Sequence, residues 1–447
     1  MFISEKEYKE RMNSFEKRIA DCEEKIAKLE ASFADGKNTA AYLDGKMNTI
    51  INSNKSNTEL VKKKFNSLEE KTDKLSEKSS TVENLTRAIS KELQAIKNLL
   101  IPQSKKAPTQ KEIMAAKKYE KELSENIKKV VKITGWTEEE AKEKFEKAKK
   151  LTGCAPKEYF LYKFYELSDE EQDKFFLVSH SRQIRKKFDT DMDFFHLLSD
   201  KARTNIYFSE FIRRPWCVNT NVDFEEFKTI FKDSPRVIYK PLSGHCGYGV
   251  KAFDLSNDAA MEESYNEIST CPNGVVEEYI VQHPDMMKLA PSSVNSLRIV
   301  TISSNKKKIF DDGKTYDIVY AGLRIGQGKS IVDNFHSGGM VANVDLETGV
   351  IINNAADQNG NVFVRHPDTD MPIKGFKIPY FEEAVNMVKE AIEKNKIEGY
   401  IGWDIAISEK GPMFLEVNAA PGVVILQTAA AQEGKGMKYL MEKYINA

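Results

Sequence analysis

At 447 residues the chain is longer than one ordinary core supports, so two or three structural units are expected, one of them large enough to be a full catalytic domain. Lys+Arg 67 against Asp+Glu 68 leave a formal charge of -1, which excludes a global basic field for nucleic acid or an anionic membrane. Five dispersed cysteines (Cys22, Cys154, Cys217, Cys246 and Cys271) form no CxxC pair, which argues against a disulfide framework or a zinc site and fits a reducing, cytoplasmic setting. The opening MFISEKEYKE is charged where a secretory leader needs an apolar run, and no stretch of about 18 apolar residues occurs after it, so no transmembrane segment is expected.

Tyr8, Met12, Phe15, Ile19, Cys22, Ile26, Leu29 and Phe33 alternate at spacings of four and three among charged residues, the seam of a coiled coil. The same frame runs unbroken through Leu43, Met47, Ile50, Val61, Leu68, Leu75, Val82, Leu85, Ile89, Ile96 and Leu99. Asn54 and Asn57, then Lys64, Lys71 and Lys78, enter the seam and weaken its middle. A continuous helix would reach roughly 140 Å at 1.5 Å per residue, whereas a break at Asp35-Gly36 or Asp44-Gly45 would fold it into a hairpin. A seam with so little apolar surface around it predicts pairing with a second copy of the chain. The expected boundaries are a coiled coil over 1–100, a linker over 101–110 where Pro102 and Pro108 sit among polar residues, a helical region over 111–195, and a catalytic domain over 196–447.

Thr137, ahead of TEEE, and Ser168, ahead of DEEQ, are helix starts. After Pro235 the chain changes to β-branched runs (RVIYK, GVVEEYI, SLRIVTI, DIVYAGLRI and GYIGWDIAI) parted by glycine-bearing turns, which predicts an α+β fold with antiparallel sheets. In GYIGWDIAISEKGPMFLEVNAAPG a hairpin turning on Lys410 puts Asp404 opposite Glu416, with Asn418 on the same face and Ile405, Ile407, Leu415 and Val417 on the other. Three oxygen ligands then converge, and a small-residue Ala-Ala-Pro-Gly turn comes next, where a ligand can approach; Mg²⁺ suits such a set. The bland alternative is a solvated strand face with scattered acids. In RVIYKPLSGHCGYGVKAF, Lys240 ends a strand ahead of Gly244, Gly247 and Gly249, a spacing that lets backbone N–H groups close around phosphate. It is neither a P-loop nor a kinase loop, since GxxxxGK[ST], HRD and DFG are all missing.

These two segments, in this order, resemble the ATP-grasp superfamily, most closely its sugar-transfer associated subgroup, over roughly residues 195–447. The resemblance implies ATP and Mg²⁺ as cofactors. It implies that Lys201, next to Asp200, and Lys240 reach the ATP phosphates, and that the loop from Ser243 through Gly244 and Gly247 to Gly249 closes over the nucleotide. Glu277 and the backbone of Glu278, Tyr279 and Ile280 would hold adenine, His283 or Asp285 the ribose, and Asp404, Glu416 and Asn418 the metal. SSVNSLRIVTI, AGLRIG and VDNFHSGGM look like the subgroup's signatures and carry over Asn295, Arg298, Arg324, Asp333, Asn334, Gly338 and Gly339. Arg298, with Arg324 and Lys240, would act in catalysis by stabilising the transferring phosphoryl group, although an arginine in an apolar strand can equally pair a structural carboxylate. His336 faces substrate or is merely exposed, and Cys246 has no paired base nearby. The implied reaction is a carboxylate–amine ligation through an acyl phosphate, in surface polysaccharide or glycan biosynthesis, with a small or glycan-linked carboxylate and an amine as partners. A phosphotransferase on the same scaffold and a coiled-coil scaffold with an ATP-sensing site are the alternatives.

Overall fold

The structure, a computed structural model, describes residues 110–447 except 243–248, 307–308, 311–312, 329–332, 334 and 336–337. The coiled-coil expectation over 1–100 and the linker up to residue 109 lie outside the described residues, as do Ser243, Gly244, Cys246, Gly247, Asn334 and His336. Residues up to Ala115 belong to one unit and Ala116–Ala447 to another, and every described strand lies in the second. No helix among the described residues is long and apolar enough to cross a membrane.

Both helix starts read from the sequence are realised by reciprocal caps. Thr137 Oγ1 accepts the Glu140 N–H while the Glu140 carboxylate accepts the Thr137 N–H, opening the helix Glu138–Thr152; Ser168 and Glu171 repeat the device for Asp169–Gln172. Helices continue to Ile230, interrupted by one short strand that the sequence did not announce, β1 (Trp216–Val218). The predicted runs then appear as β2 (Arg236–Pro241), β4 (Gly274–Glu278), β5 (Ser296–Ser303), β6 (Tyr316–Ile325) and β10 (Gly399–Ser408). Between and after them come β3 (Lys251–Asp254), β7 (Met340–Val344), β8 (Ala355–Ala356), β9 (Val362–Phe363) and β11 (Gly411–Asn418). They form a four-stranded sheet in the order β1-β4-β2-β3 and a seven-stranded sheet in the order β11-β10-β5-β6-β7-β8-β9, with every ladder antiparallel.

Strand alternation divides the large sheet into two faces. Leu297 and Ile299, Ala321 and Leu323, and Ile401, Trp403, Ile405 and Ile407 enter one core, covered by the helix Phe381–Asn395; the indole of Trp403 donates to Thr301 Oγ1 at 2.9 Å. At one end of the other face Val300, Ile302, Tyr320 and Tyr400 meet a second core, shared with the helix Val424–Ala431, with Phe145, Tyr159 and Phe164 of the preceding helices, and with Phe175 and Phe176 of the connection that follows them. The buried Gln427 fastens these layers, its Oε1 accepting the N–H groups of Phe176 and Met437. At the opposite end of that face lies a small apolar cluster around Ala406. The middle carries the charged side chains Arg298, Arg324 and Asp404. That break in pattern marks the site.

Candidate active site

Asp404 does face Glu416, by a different route from the one expected. The turn is the pair Glu409-Lys410, closed by Ser408 against Gly411, and this register alone would set Leu415 opposite Asp404. An irregularity between Asp404 and Ile405 leaves Leu415 as an extra residue in β11, a β-bulge that moves the register by one. Asp404 then pairs with Glu416, Trp403 with Val417 and Gly402 with Asn418. The expectation that Leu415 would share the core face is overturned. Phe414 takes that place opposite Ile405, and Leu415 packs instead beside Ile280, Ala406 and Met413.

Four side chains gather at Asp404. Arg298 is its register partner on β5 and grips both carboxylate oxygens, Nη2 donating to Oδ2 at 2.7 Å and Nε donating to Oδ1. Arg324, on β6, donates from Nη1 to Asp404 Oδ2 at 2.9 Å and from Nη2 to Asp333 Oδ1 at 2.8 Å. Asn418 donates from Nδ2 to Asp404 Oδ2 at 3.1 Å, which fixes acid and amide on one side of the sheet. Glu416 stands opposite on the neighbouring strand and is exposed. Gly402 makes room: a Cβ there would lie 2.9 Å from Pro421 Cβ and 3.2 Å from Arg298 Cδ. Burial alone would raise the Asp404 carboxyl, but the two guanidinium groups outweigh it and hold it below the usual range; Asp404 and Glu416 together raise Arg298 despite its burial. Asp333, with one guanidinium and the Ser296 N–H and hydroxyl as partners, is raised because burial prevails.

A second buried cluster centres on Glu277 of β4. Its carboxylate accepts from Arg214 Nη2 at 2.9 Å, Lys240 Nζ at 2.6 Å and Asn205 Nδ2 at 2.9 Å. Burial would push Glu277 up, yet Arg214 and Lys240 hold it far below the carboxylate range. Lys201 opens the helix Lys201–Tyr207 that supplies Asn205, four residues on and hence on the same helical face; Asp200 caps that helix by accepting the Ala202 and Arg203 N–H groups. Beyond Glu277, the Glu278 and Tyr279 N–H groups are spent on the Pro215 and Arg236 carbonyls, and Arg236 lies over the Tyr279 ring. No hydrogen bond from the Ile280 N–H occurs among the described residues. Ile280 packs in the small apolar cluster with Ala406, Met413, Val294 and Leu415.

The other sequence candidates divide. Gly249 is left-handed at φ 76°, and a Cβ would lie 3.0 Å from Pro241 Cγ. His283 and Asp285 lie at the start of the helix Pro284–Leu289, where Asp285 turns to Lys288 at 2.7 Å. Asn295 is fully buried, donating to Gln282, Met286 and Ala290 and accepting the Gly326 N–H, so its amide organises the chain behind the site. Gly338 accepts from the Gln327 amide, and Gly339 directly precedes β7. Sequence reasoning missed Arg214, Asn205 and Met413 of the apolar cluster beside Ile280. Only the Arg-Arg-Pro run ahead of β1 hinted at the first.

Among the described residues no group of three or more His, Cys, Asp and Glu side chains is gathered for a metal. The oxygen donors here are two carboxylates and the Asn418 carboxamide oxygen, which its Nδ2 contact leaves over. Such an oxygen-only set fits a hard divalent cation. Asp404 also carries two guanidinium groups, so Glu416 and Asn418 present the less committed oxygens.

The profile of the sugar-transfer associated ATP-grasp family matches residues 187–442, and the chain belongs to this family. No curated protein matches the sequence. Among solved structures, the D-alanine–D-alanine ligase from Bacillus anthracis is 16% identical over 56% of this chain and 67% of that one, with a TM-score of 0.32. The N5-carboxyaminoimidazole synthetase from Staphylococcus aureus, complexed with ADP, is 12% identical over 54% of this chain and 53% of that one, with a TM-score of 0.32. The biotin carboxylase domain of the Hydrogenobacter thermophilus 2-oxoglutarate carboxylase is 16% identical over 56% and 48%, with a TM-score of 0.32. The chain spans 45% to 66% of the length of the first structures it matches. The family assignment rests on the sequence match.

Proposed function

We propose that the protein is an ATP- and Mg²⁺-dependent carboxylate–amine ligase acting in surface polysaccharide or glycan biosynthesis, on a small or glycan-linked carboxylate and an amine. The observation that carries this reading is the convergence of Arg298, Arg324, Asn418 and Glu416 on the buried Asp404. Cations locked in place before reaction stabilise charge that develops on a transferring phosphoryl group without reorganising, and this is most of what phosphoryl transfer needs. Asp404, Glu416 and Asn418 would hold Mg²⁺, which would neutralise phosphate charge.

Lys240 and Lys201 would balance the phosphates, with Ser243, Gly244, Gly247 and Gly249 closing over them. The open Ile280 N–H, beside Glu278 and Tyr279, would meet the adenine edge against the apolar cluster of Ala406, Met413 and Leu415, and His283 or Asp285 the ribose. A substrate carboxylate oxygen attacks the γ-phosphorus as its bond to ADP breaks; the amine then displaces phosphate from the acyl phosphate to leave an amide. No protein nucleophile takes part. Residues 196–447 would form the catalytic domain behind the helical region 111–195, and 1–100 would join copies of this cytoplasmic enzyme.

The test is an ADP-release screen of the purified protein against pooled sugar acids and amines, read by mass spectrometry. An amide product that appears only with both substrates is expected. A stable phosphorylated product without an amine would select phosphoryl transfer, and tight ATP binding with no phosphate release would select nucleotide sensing.

A further inference from the structure

We propose that Arg214 is a positioning residue that couples the nucleotide hinge, the segment 277–280 at the end of β4 that would hold adenine, to the metal carboxylates, an inference that rests on the ATP and Mg²⁺ reading above. Its guanidinium is buried and joins the two sheets. Nε and Nη2 donate to Glu277 of β4, while Nη1 donates to the Phe414 carbonyl of β11 at 2.6 Å and to Ile212 at 3.0 Å. On one side it fixes the carboxylate that holds Lys240 and Asn205. On the other it fixes the residue just before the extra Leu415, two positions ahead of Glu416.

Its neighbours act in the same direction. Arg213, held left-handed at φ 52°, donates from Nη1 to the Pro412 carbonyl of β11 at 3.1 Å, and the Pro215 carbonyl accepts the Glu278 N–H. Three consecutive residues therefore bind the strand that carries the metal carboxylate to the strand that carries the hinge. A planar fork with donors on opposite edges can do this; a lysine ammonium reaches one side only. Nucleotide at the hinge and cation at Glu416 then share one rigid reference, so each should strengthen the other.

The experiment is calorimetric titration of ATP into the full chain, with Mg²⁺ and with EDTA, for wild type, Arg214→Lys and Arg214→Met. Wild type should bind ATP more tightly with Mg²⁺. Arg214→Lys, which keeps a cation beside Glu277, should bind ATP in EDTA much as wild type does while its Mg²⁺ enhancement falls roughly tenfold, within the usual range for linked sites; Arg214→Met should lose the enhancement as well. Wild-type enhancement in either folded variant overturns the coupling role. Equal weakening with and without Mg²⁺ in Arg214→Lys also overturns it, by confining Arg214 to the hinge. So does failure of both variants to give a cooperative melt, which would make Arg214 a residue of the fold alone. If wild type binds no ATP, the nucleotide reading itself falls; if it binds ATP without regard to Mg²⁺, the metal assignment falls and the coupling with it.

Discussion

At the scale of single residues the site combines groups that cost the fold much with one that costs it little. Glu416 is exposed and forms no ion pair among the described residues, so Glu416→Ala should leave the melting temperature unchanged while lowering ATP turnover by about 10²–10³-fold, the usual loss for a group that stabilises transition-state charge. Near wild-type turnover would remove Glu416 from the metal site. Glu277 is the opposite case. Its removal strands Arg214 in the interior, and Glu277→Ala should cost about 3–5 kcal/mol in urea unfolding, as breaking a buried pair does. Because folding lowers the pKa of Glu277 and of Asp404, the unfolded chain takes up more protons below their ordinary values of 4.5 and 3.8, and stability should decline as pH falls through that region. Asp333 works in the reverse sense, since burial raises it and acidification relieves its charge. Thermal melts from pH 7 to pH 3 should therefore show a net fall, less steep in Glu277→Gln; an identical slope in that variant would assign the acid sensitivity elsewhere.

At the scale of elements, the bulge in β11 decides which side chains face the site. Leu415 is the residue in excess, so deleting it should leave Asp404 opposite Glu416 and remove one side chain of the apolar cluster beside Ile280. ATP binding should weaken roughly tenfold, equivalent to about 1.4 kcal/mol of lost apolar contact, with its Mg²⁺ enhancement intact. Loss of the enhancement would show that the strand had slipped. Gly402→Ala tests the same face from β10: with Pro421 and Arg298 both inside normal contact, about 1–3 kcal/mol of overpacking is expected by denaturant unfolding. The hairpin shows how far pattern reading reaches. It paired Asp404 with Glu416 correctly, but through a turn centred on Lys410, because alternation constrains facing and is blind to where an extra residue is absorbed.

At the scale of the whole molecule, the seam from Tyr8 to Leu99 predicts self-association. Light scattering of the full chain should give a multiple of 50.8 kDa, and a monomer mass at micromolar concentration would refute it. The unit Ala116–Ala447 has a second joint besides its sheets. Gln427 and the aromatic cluster from Phe145 to Phe176 lock the preceding helices to the large sheet, so these helices share a core with the strands that hold the site.

Local chemistry was readable directly: helix caps at Thr137 and Ser168, five strands from their β-branched runs, and the acid-amide pattern of β10 and β11, since each depends on neighbours in sequence or on alternation along one strand. The long-range ion pairs were not readable. Sequence leaves Arg298 open between phosphoryl contact and carboxylate pairing, and only the register of β5 against β10 brings it onto Asp404. Arg214 carried no motif at all, because its meaning lies in a carboxylate 63 residues away and a carbonyl 200 residues away, brought together by the packing of two sheets. Side-chain identity and spacing determine what a segment can become; which charge meets which is settled when the sheets close and burial leaves each ion no partner but the one in reach.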